Sequence, residues 1–282
     1  MRRLGFAFNP TKPEVLVLRD RALEWCRRND THGWACESND FDVLVERLAD
    51  TDGLIVLGGD GTFLRAARAL AEVDVAVLGV NSGRIGFLSK IEPEAMESTL
   101  ADLVADDYEI EPRMMLEATV LRRAHEDSPQ LVGPFAALND AAIVRGAEAR
   151  VLRLQVSIDD SHLATYLADG VVVATPTGST AYSFSAGGPI LDPTARNLIV
   201  TPVAAYLSSI RSIVVGPAHV VRVRLVDGPP GIVSIDGRED YPIEVGDAVE
   251  IRSMERPLRF IEPRGALPFW DLLRQKADLL PA

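Results

Sequence analysis

A glycine-rich turn that contains one carboxylate is the strongest candidate in the chain for ligand binding or catalysis. It consists of Gly58, Gly59, Asp60, Gly61 and Thr62. The apolar run Leu54–Leu57 before it predicts a buried strand, and the apolar spacing after it predicts a helix. Glycines let the backbone approach a ligand closely, and the N–H groups at a helix start bind anions. The turn is therefore predicted to hold a nucleotide phosphate.

Asp60 is the unusual member of this turn. A carboxylate among phosphate-binding amides repels the anion unless it holds a metal ion or accepts a proton from an attacking hydroxyl. Asp60 is thus a candidate catalytic base. Taken alone, the sequence Gly-Asp-Gly-Thr fits an ordinary turn with an aspartate helix cap about equally well.

A second glycine loop follows a second buried strand. The run Val75–Val80 leads into NSGRIGFL at residues 81–88. Loops at the carboxyl ends of neighbouring parallel strands line one crevice, so the two glycine loops are expected to face the same ligand. Neither loop matches GxGxxG, and the sequence contains no GxxxxGK[ST], which disfavours an ordinary dinucleotide-binding fold or a P-loop.

Strands and helices alternate in the part of the chain that must position these loops. Strands are predicted over Leu4–Phe8, Trp34–Cys36, Leu54–Leu57 and Val75–Val80. Helices are predicted over Pro13–Arg28, Phe41–Leu48 with Asp40 as cap, and Glu94–Val104. This alternation predicts an α/β domain with an open, mostly parallel sheet over residues 1–107.

After Tyr108 the pattern changes to short β-branched runs, which predict a β-rich domain over residues 108–262. The runs are Leu116–Leu121, Phe135–Leu138, Leu152–Ile158, His162–Leu167, Val171–Ala174, Val220–Leu225, Ile232–Ile235 and Val249–Ile251. Arg122–Gly133 is expected to be an exposed hairpin or loop. Residues 263–282 contain a short amphipathic helix, Trp270–Ala277, that is expected to pack back on the first domain.

Charge and composition limit the function. The net charge of −12 argues against general affinity for nucleic acid or an anionic membrane, so a polyanionic ligand would need local arginines. No run approaches the roughly 18 apolar residues of a membrane span, and the protein is expected to be cytoplasmic. Cys26 and Cys36 form no CxxC and have no histidine at zinc spacing, so they are expected to be reduced thiols.

Four stretches together resemble bacterial NAD kinases. They are GGDGTFLRAA at 58–67, NSGRIGFL at 81–88, LND at 138–140 and DGVVVATPTGSTAYSFSAGGPI at 169–190. Their order and spacing match over about residues 1–262. The last stretch is highly specific, whereas GGDGT alone is shared with lipid kinases of the diacylglycerol and sphingosine type. The resemblance implies an NAD kinase-like two-domain fold and transfer of the γ-phosphoryl of ATP to the 2′-hydroxyl of the NAD adenosine ribose, which forms NADP.

The resemblance also implies roles for single residues. Asp60 corresponds to the family's proton acceptor, and the implied phosphate- and ATP-binding loop is Gly58, Gly59, Gly61 and Thr62. The residues implied to bind NAD are Asp60, Gly61, Arg65, Phe87, Asn139, Asp140, Arg150, Asp169, Thr180, Ala181, Tyr182, Ser185 and Arg238. Asp140 departs from the commoner glutamate, Arg238 stands where many members have glutamine, and Thr201–Tyr206 lacks the Pro-His pair of many members.

The implied cofactor is Mg²⁺ or another divalent cation, which would neutralise the β- and γ-phosphates, and its ligands are not assigned from the sequence. The implied substrates are NAD and ATP, with inorganic polyphosphate as a donor for some members. The implied assembly is a homodimer or homotetramer. Neither nucleic acid nor a membrane is expected as a partner.

Two alternatives to an NAD kinase stay open on the sequence. One is a lipid kinase that shares GGDGT, although the acidic chain has no amphipathic basic helix to meet a membrane. The other is a protein that keeps the NAD pocket and has lost catalysis, against which the presence of Asp60 argues.

Overall fold

The computed structural model describes residues 1–83, 86–123, 130–148, 150–206 and 210–278. The chain divides into two compact units. Unit 1 joins Met1–Pro112 to Leu258–Ala282, and unit 2 is Arg113–Pro257.

The first part of the chain alternates strands with helices. Its elements are β1 (Arg3–Phe8), α1 (Pro13–Arg28), β2 (His32–Glu37), α2 (Phe41–Leu48), β3 (Gly53–Leu57), α3 (Asp60–Glu72), β4 (Ala76–Val80), α4 (Met96–Val104) and β5 (Tyr108–Arg113).

The remaining chain is mostly strand. Its elements are β6 (Leu116–Arg122), β7 (Gln130–Ala137), β8 (Asp140–Arg145), β9 (Leu152–Ile158), β10 (Ser161–Ala168), β11 (Gly170–Ala174), α5 (Tyr182–Ser185), β12 (Leu198–Val203), β13 (Ile213–Val215), β14 (Val221–Asp227), β15 (Gly231–Ile235), β16 (Glu239–Ile243), β17 (Ala248–Ser253), β18 (Leu258–Pro263) and α6 (Phe269–Asp278). Short 3₁₀ helices cover Pro93–Ala95 and Thr177–Thr180.

Unit 1 is built on a six-stranded sheet in the order β2-β1-β3-β4-β18-β5. The pairs β1–β2, β1–β3, β3–β4 and β4–β18 are parallel. The strands β3 and β4 are buried along their whole length, as their continuous apolar sequences require. The chain runs outward from β1 to β2 and then, from β3 to β4, in the other direction. The topological switch point, where such sheets bind ligands, therefore lies between β1 and β3.

The helices of unit 1 bury one face each. α1 begins with Pro13 in its first turn and buries Val15, Leu18, Ala22 and Cys26, which recur at helical spacing. α2 is capped by the Asp40 side chain, which accepts the N–H of Val43 at 3.4 Å, so the predicted cap is confirmed.

Unit 2 packs two six-stranded antiparallel sheets face to face. One has the order β10-β9-β14-β17-β6-β7 and the other β13-β12-β11-β8-β15-β16. Alternate residues of both sheets meet in one apolar core, for example Val156 and Val223 from the first sheet and Val171 and Val233 from the second. The opposite face of the second sheet forms a smaller apolar cluster that includes Ala142 and Val172, and Leu191 packs against it.

The predicted fold class is confirmed, but two strands correct the domain boundaries. The sequence pattern assigns residues 108–262 to the β-rich part, whereas β5 and β18 belong to the sheet of unit 1. Short β-branched runs occur in both units, and a strand's local sequence does not specify which sheet it joins. The sequence also leaves β5, β8, β12, β13, β16 and β18 unpredicted, partly because alanines and prolines interrupt several of their patterns.

Parts of two predicted loops lie outside the described residues. They are residues 84–85 of the second glycine loop and residues 124–129 of the expected hairpin. In the described parts of the chain, no helix is long and apolar enough to cross a membrane.

Candidate active site

Four strands of unit 1 end at the same level. Phe8 pairs with both Glu37 and Leu57, and Leu57 pairs with Val80. The loops that follow β1 to β4 therefore lie along one edge of the sheet. Both predicted glycine loops belong to this edge.

The first glycine loop leads directly into α3. Gly58 has φ of 147°, and a Cβ there would lie 2.6 Å from Thr62 Oγ1, so the turn requires glycine. Gly59 is the N-cap residue of α3, and as a glycine it has no side chain to cap this end. A helix start can receive an anion through its N–H groups and the positive end of the helix dipole.

Asp60 is held by the second glycine loop. Its Oδ2 accepts the N–H of Phe87 at 2.9 Å, and its Oδ1 accepts those of Leu88 and Ser89 at 3.1 and 3.2 Å. A carboxylate can accept about four hydrogen bonds, so these three leave one acceptor site on Oδ2. That site could take the proton of a substrate hydroxyl while the backbone keeps the carboxylate oriented.

Gly86 makes this contact possible. A Cβ at Gly86 would lie 1.9 Å from Asp60 Oδ1, closer than any real contact allows. The loop that contains Gly86 is predicted from the sequence as part of the site, but Gly86 itself is not among the predicted site residues. Gly86 and Asp60 belong to different loops, and no local sequence pattern predicts that they meet.

Arg65 turns back toward the start of α3. Its Nε donates to Ser38 Oγ at 3.0 Å and its Nη2 to Thr62 Oγ1 at 3.4 Å. Within the described residues, the guanidinium pairs with no carboxylate. Burial lowers the pKa of Arg65, because the charged form has lost water. A phosphate bound at this edge would offset that loss.

In unit 2 a cavity of about 360 Å³ lies beside α5. Its apolar part is formed by Ala142, Val144 and Ile232, and its polar lining includes Asn139, Asp140, Ser234, Asp236 and Asp240, with Ala181 and Tyr182 at one side. Four of the predicted NAD-binding residues, Asn139, Asp140, Ala181 and Tyr182, therefore line one cavity. The lining is apolar with a few polar groups, as in many small-molecule sites.

Two buried carboxyl groups meet at this cavity. Asp236 accepts the N–H groups of Leu138, Asn139 and Asp140 at 3.0, 2.8 and 3.1 Å. Burial raises the pKa of Asp236, and these three donors act in the opposite direction. Burial, together with the charge of Asp236, raises the pKa of Asp140 to about 7. Asp236 is therefore the better place for the negative charge, and Asp140 the better place for the proton.

The Asn139 backbone is locked to the loop after β11. Its carbonyl accepts the N–H of Thr175 at 2.8 Å, and a Cβ at Gly178 would lie 2.1 Å from that same oxygen. The side-chain amide of Asn139 has no hydrogen-bond partner in the part of the chain that the structure describes. It is thus free to bind a ligand in the cavity that it lines.

Tyr182 begins α5 and is 41% exposed. Burial is the main cause of the raised pKa of Tyr182, and Asp140 and Asp169 add to it. Asp169 is paired with Arg145, whose Nε lies 3.0 Å from its Oδ1. The sequence does not identify Arg145 as a neighbour of the site, because its partner Asp169 is 24 positions away in the chain.

Four other predicted site residues, Thr180, Ser185, Arg150 and Arg238, do not line the cavity. The hydroxyls of Thr180 and Ser185 donate to carbonyls of their own loop, Thr177 O at 3.4 Å and Ala181 O at 3.5 Å. Arg150 is exposed. Arg238 lies in the turn after β15, where its charge lowers the pKa of Asp236.

A divalent cation would need ligands besides the side chains of the described residues. In the residues that the structure covers, no group of three or more His, Cys, Asp and Glu side chains could hold a metal ion. Mg²⁺ commonly binds through substrate phosphates and water with one or two carboxylates. The glycine loop and Arg65 would hold the phosphates that carry the ion.

Comparison with known proteins agrees with this geometry. Over 99% of the chain, the fold matches the crystal structure of yeast NADH kinase complexed with NADH, with a TM-score of 0.80, 23% identity and 87% of that chain covered. It also matches the crystal structure of an NAD kinase from Archaeoglobus fulgidus in complex with ATP, with a TM-score of 0.77, 23% identity and 100% of that chain covered. The fold is thus that of the NAD kinases.

The sequence comparisons are more specific. Residues 19–108 match the ATP-NAD kinase N-terminal domain, and residues 138–263 match the ATP-NAD kinase C-terminal domain. The NAD kinase of Caldanaerobacter subterraneus subsp. tengcongensis is 42% identical over 98% of this chain and 99% of its own length, and that of Symbiobacterium thermophilum is 44% identical over 80% and 78%. The chain belongs to the NAD kinase family, whose members are phosphotransferases, and the resemblance seen in the sequence is confirmed.

We expect the guanidinium of Arg65, near the glycine loop, to bind substrate phosphate. A hydrogen bond to a charged group contributes roughly 1.5–3 kcal/mol, so Arg65→Ala should weaken nucleotide binding by about ten- to a hundred-fold. Calorimetric titration with NAD and with ATP measures this, and Arg68→Ala, whose guanidinium lies over Phe41 one turn further along α3, is the matched control. The same titration of Arg150→Ala and Arg238→Ala tests the other two implied contacts. If a variant binds nucleotide with an affinity within about twofold of wild type, the arginine that it replaces is a surface residue and makes no contact with the substrate.

The raised pKa of Asp140 predicts a pH-dependent cost to folding. In the unfolded chain the carboxyl of Asp140 ionises near its ordinary pKa of 3.8, whereas in the folded chain its pKa is raised to about 7. Stability should therefore fall as pH rises from about 4 to about 7 and level off above, because the unfolded state binds fewer protons. At roughly 1.36 kcal/mol per pKa unit, the total is roughly 4 kcal/mol at most.

Asp140→Asn removes the titration and keeps the shape. Its free energy of unfolding relative to wild type should rise over the same pH range, as measured by urea titration at several pH values. A difference that is constant from pH 4 to 8 would contradict the shifted pKa.

Proposed function

We propose that the chain transfers the γ-phosphoryl of ATP to the 2′-hydroxyl of the adenosine ribose of NAD, forming NADP and ADP. The observation that carries the proposal is the carboxylate of Asp60, which stands at the start of α3 and is oriented by three backbone N–H groups. A carboxylate in this position has little use in phosphate binding alone. It has a clear use as the acceptor of a hydroxyl proton.

The reaction then needs one proton transfer and one phosphoryl transfer. The ribose hydroxyl gives its proton to Oδ2 of Asp60 while its oxygen bonds to the γ-phosphorus. The bond from the γ-phosphorus to the bridging oxygen breaks, and ADP leaves with that electron pair. Because the N–H groups hold the carboxylate in place, little reorganisation is required at the moment of reaction.

Unit 1 supplies the binding of phosphates. The N–H groups at the start of α3 and the guanidinium of Arg65 attract anionic oxygens, and the glycines allow a close approach. Mg²⁺, when bound by the same phosphates, supplies further neutralisation of their charge.

Unit 2 supplies a cavity for an uncharged part of the dinucleotide. Three carboxyl side chains line it, Asp140, Asp236 and Asp240, which disfavours phosphate there. Its apolar part suits the face of a base, and the Asn139 amide and the Asp140 carboxyl suit polar edges and ribose hydroxyls. We assign the remaining implied NAD contacts, Phe87, Asp169, Thr180, Ser185, Arg150 and Arg238, to the same dinucleotide as part of the proposal.

The two alternatives differ from an NAD kinase in their products. The lipid-kinase reading is not favoured, because both matched domains and the two relatives described above are NAD kinases. An inactive NAD-binding protein would form no NADP. Assay of NADP formed from NAD, ATP and Mg²⁺ separates these readings, with diacylglycerol and sphingosine as competing acceptors and polyphosphate as a second donor.

Assembly and location complete the proposal. A homodimer or homotetramer is proposed from the family resemblance, and light scattering on the purified protein tests it. A cytoplasmic location is proposed as well, and cell fractionation tests it.

Replacing the base should affect turnover. Asp60→Asn is expected to lower kcat by about 10²-fold or more while NAD binding changes little, because the loss of a positioned base costs that much. Glu72→Gln, an exposed carboxylate at the end of the same helix, is the matched control. Wild-type turnover in Asp60→Asn would remove Asp60 from the base role.

Replacement of Tyr182 should change the KM for NAD far more than the KM for ATP. A base stacked on an aromatic ring is worth roughly 1–3 kcal/mol, so Tyr182→Ala should raise the KM for NAD by about tenfold with little change in that for ATP. Phe184→Ala, in the same short helix and 51% exposed, is the control, because Phe184 does not line the cavity. Equal effects on both substrates would contradict the assignment.

A further inference from the structure

The C-terminal part of unit 1 contacts the same loop that holds Asp60. Lys90 Nζ lies 2.6 Å from Glu262 Oε1 of β18, and the two side chains are only 9% and 19% exposed. The two residues are 172 positions apart in the chain. Removal of one partner from such a buried pair leaves an uncompensated charge, so the pair ties the end of this loop firmly to β18.

α6 contacts the other end of the loop. The ring centroids of Phe87 and Phe269 are 6.0 Å apart, and Lys276 Nζ lies 4.9 Å from the centroid of Phe87. Phe269 and Lys276 are about two helical turns apart, so they lie on one face of α6. The ammonium group over the ring adds a cation–π attraction to the packing of the two rings.

The loop needs such external supports. Residues 86–90 belong to no helix or strand. Among the described residues, the backbone of this segment is held by the hydrogen bond from Gly86 N to Ser89 O at 3.2 Å, and the neighbouring Ile91 N donates to Gly79 O at 3.2 Å. The three N–H groups that orient the Asp60 carboxylate all belong to residues between Phe87 and Lys90. A shift of this loop would therefore move the carboxylate or release it.

We propose that Phe269 and Lys276 of α6 and Glu262 of β18 are positioning residues for Asp60. They fix residues 86–90, and these residues in turn hold the carboxylate in its reactive orientation. The proposal rests on the role of Asp60 as base given above. It makes the C-terminal segment part of the machinery of turnover, although it lies far from the glycine loop in sequence.

The first test uses two substitutions that make the same chemical change on one helix. Lys276→Met removes the ammonium over Phe87, and Arg274→Met removes an exposed cation of α6 that pairs with Asp271. We expect Lys276→Met to lower kcat by about three- to tenfold, with the KM values for NAD and ATP within about twofold, because misplacement of a reacting group acts on turnover. Arg274→Met should keep wild-type kinetics. A raised KM for NAD with unchanged kcat would show that α6 acts through Phe87 on dinucleotide binding and not on the orientation of Asp60, and would overturn the proposal.

The second test asks whether the effect passes through Asp60. In the Asp60→Asn background, Lys276→Met and Phe269→Ala should lower kcat no further, whereas independent roles would give additive losses. Full activity of Asp60→Asn would refute the base, whereas normal kcat of Lys276→Met and Phe269→Ala beside an impaired Asp60→Asn would refute the positioning role alone.

Hydrogen exchange gives a readout that does not depend on activity. The amides of Phe87, Leu88 and Ser89 should exchange faster in Lys276→Met and Phe269→Ala than in wild type, and not in Arg274→Met. Unchanged exchange in all three variants, each with a normal melting temperature, would overturn the proposal. The same measurement on Glu262→Gln checks the contact to Lys90.

Discussion

The hydrogen bonds between the Asp60 carboxylate and the backbone of residues 87–89 are the constraint on which the candidate active site depends. They form only because β3 and β4 end at the same level, so that the loops after the two strands meet. They also need the missing Cβ of Gly86, since any side chain there would enter the carboxylate. The glycines of the two loops thus have a common purpose. They allow one charged side chain to be enclosed by backbone while its last acceptor site stays open.

Unit 2 uses the same device in another place. Asp236, in the turn after β15, accepts the N–H groups of residues 138–140, as Asp60 accepts those of residues 87–89. In both cases a carboxylate orders a loop that would otherwise have unpaired donors. The neighbouring carboxyl of Asp140 then takes the proton more readily than Asp236 does, because the donors favour charge on Asp236. The result is a cavity with little attraction for phosphate and several groups that can bind a nucleoside.

The charged side chains are distributed differently in the phosphate-binding edge of unit 1 and in the cavity of unit 2. A chain with a net charge of −12 can gather anionic substrates only if its cations are placed locally. Arg65 is such a cation, because hydroxyl groups rather than carboxylates hold it at the start of α3. The carboxyl groups of unit 2 line a cavity with an apolar part instead. Membership in the NAD kinase family agrees with this division, because the substrates named for that family carry both phosphates and uncharged nucleoside groups.

The features that follow from neighbouring residues could be predicted from the sequence: the glycine turn between strand and helix, the cap of α2, the β-rich second part and the family motifs. The resemblance also named Asn139, Asp140, Ala181 and Tyr182 among the site residues, and the structure places these four around one cavity of unit 2. The assembled sheets were needed to show that β5 and β18 join the first sheet, that Asp60 is held by the second loop, and that Asp140 lies beside Asp236, 96 positions away. Helical and strand periodicity reports which face of an element is buried, whereas contacts between distant residues arise only when the sheets assemble.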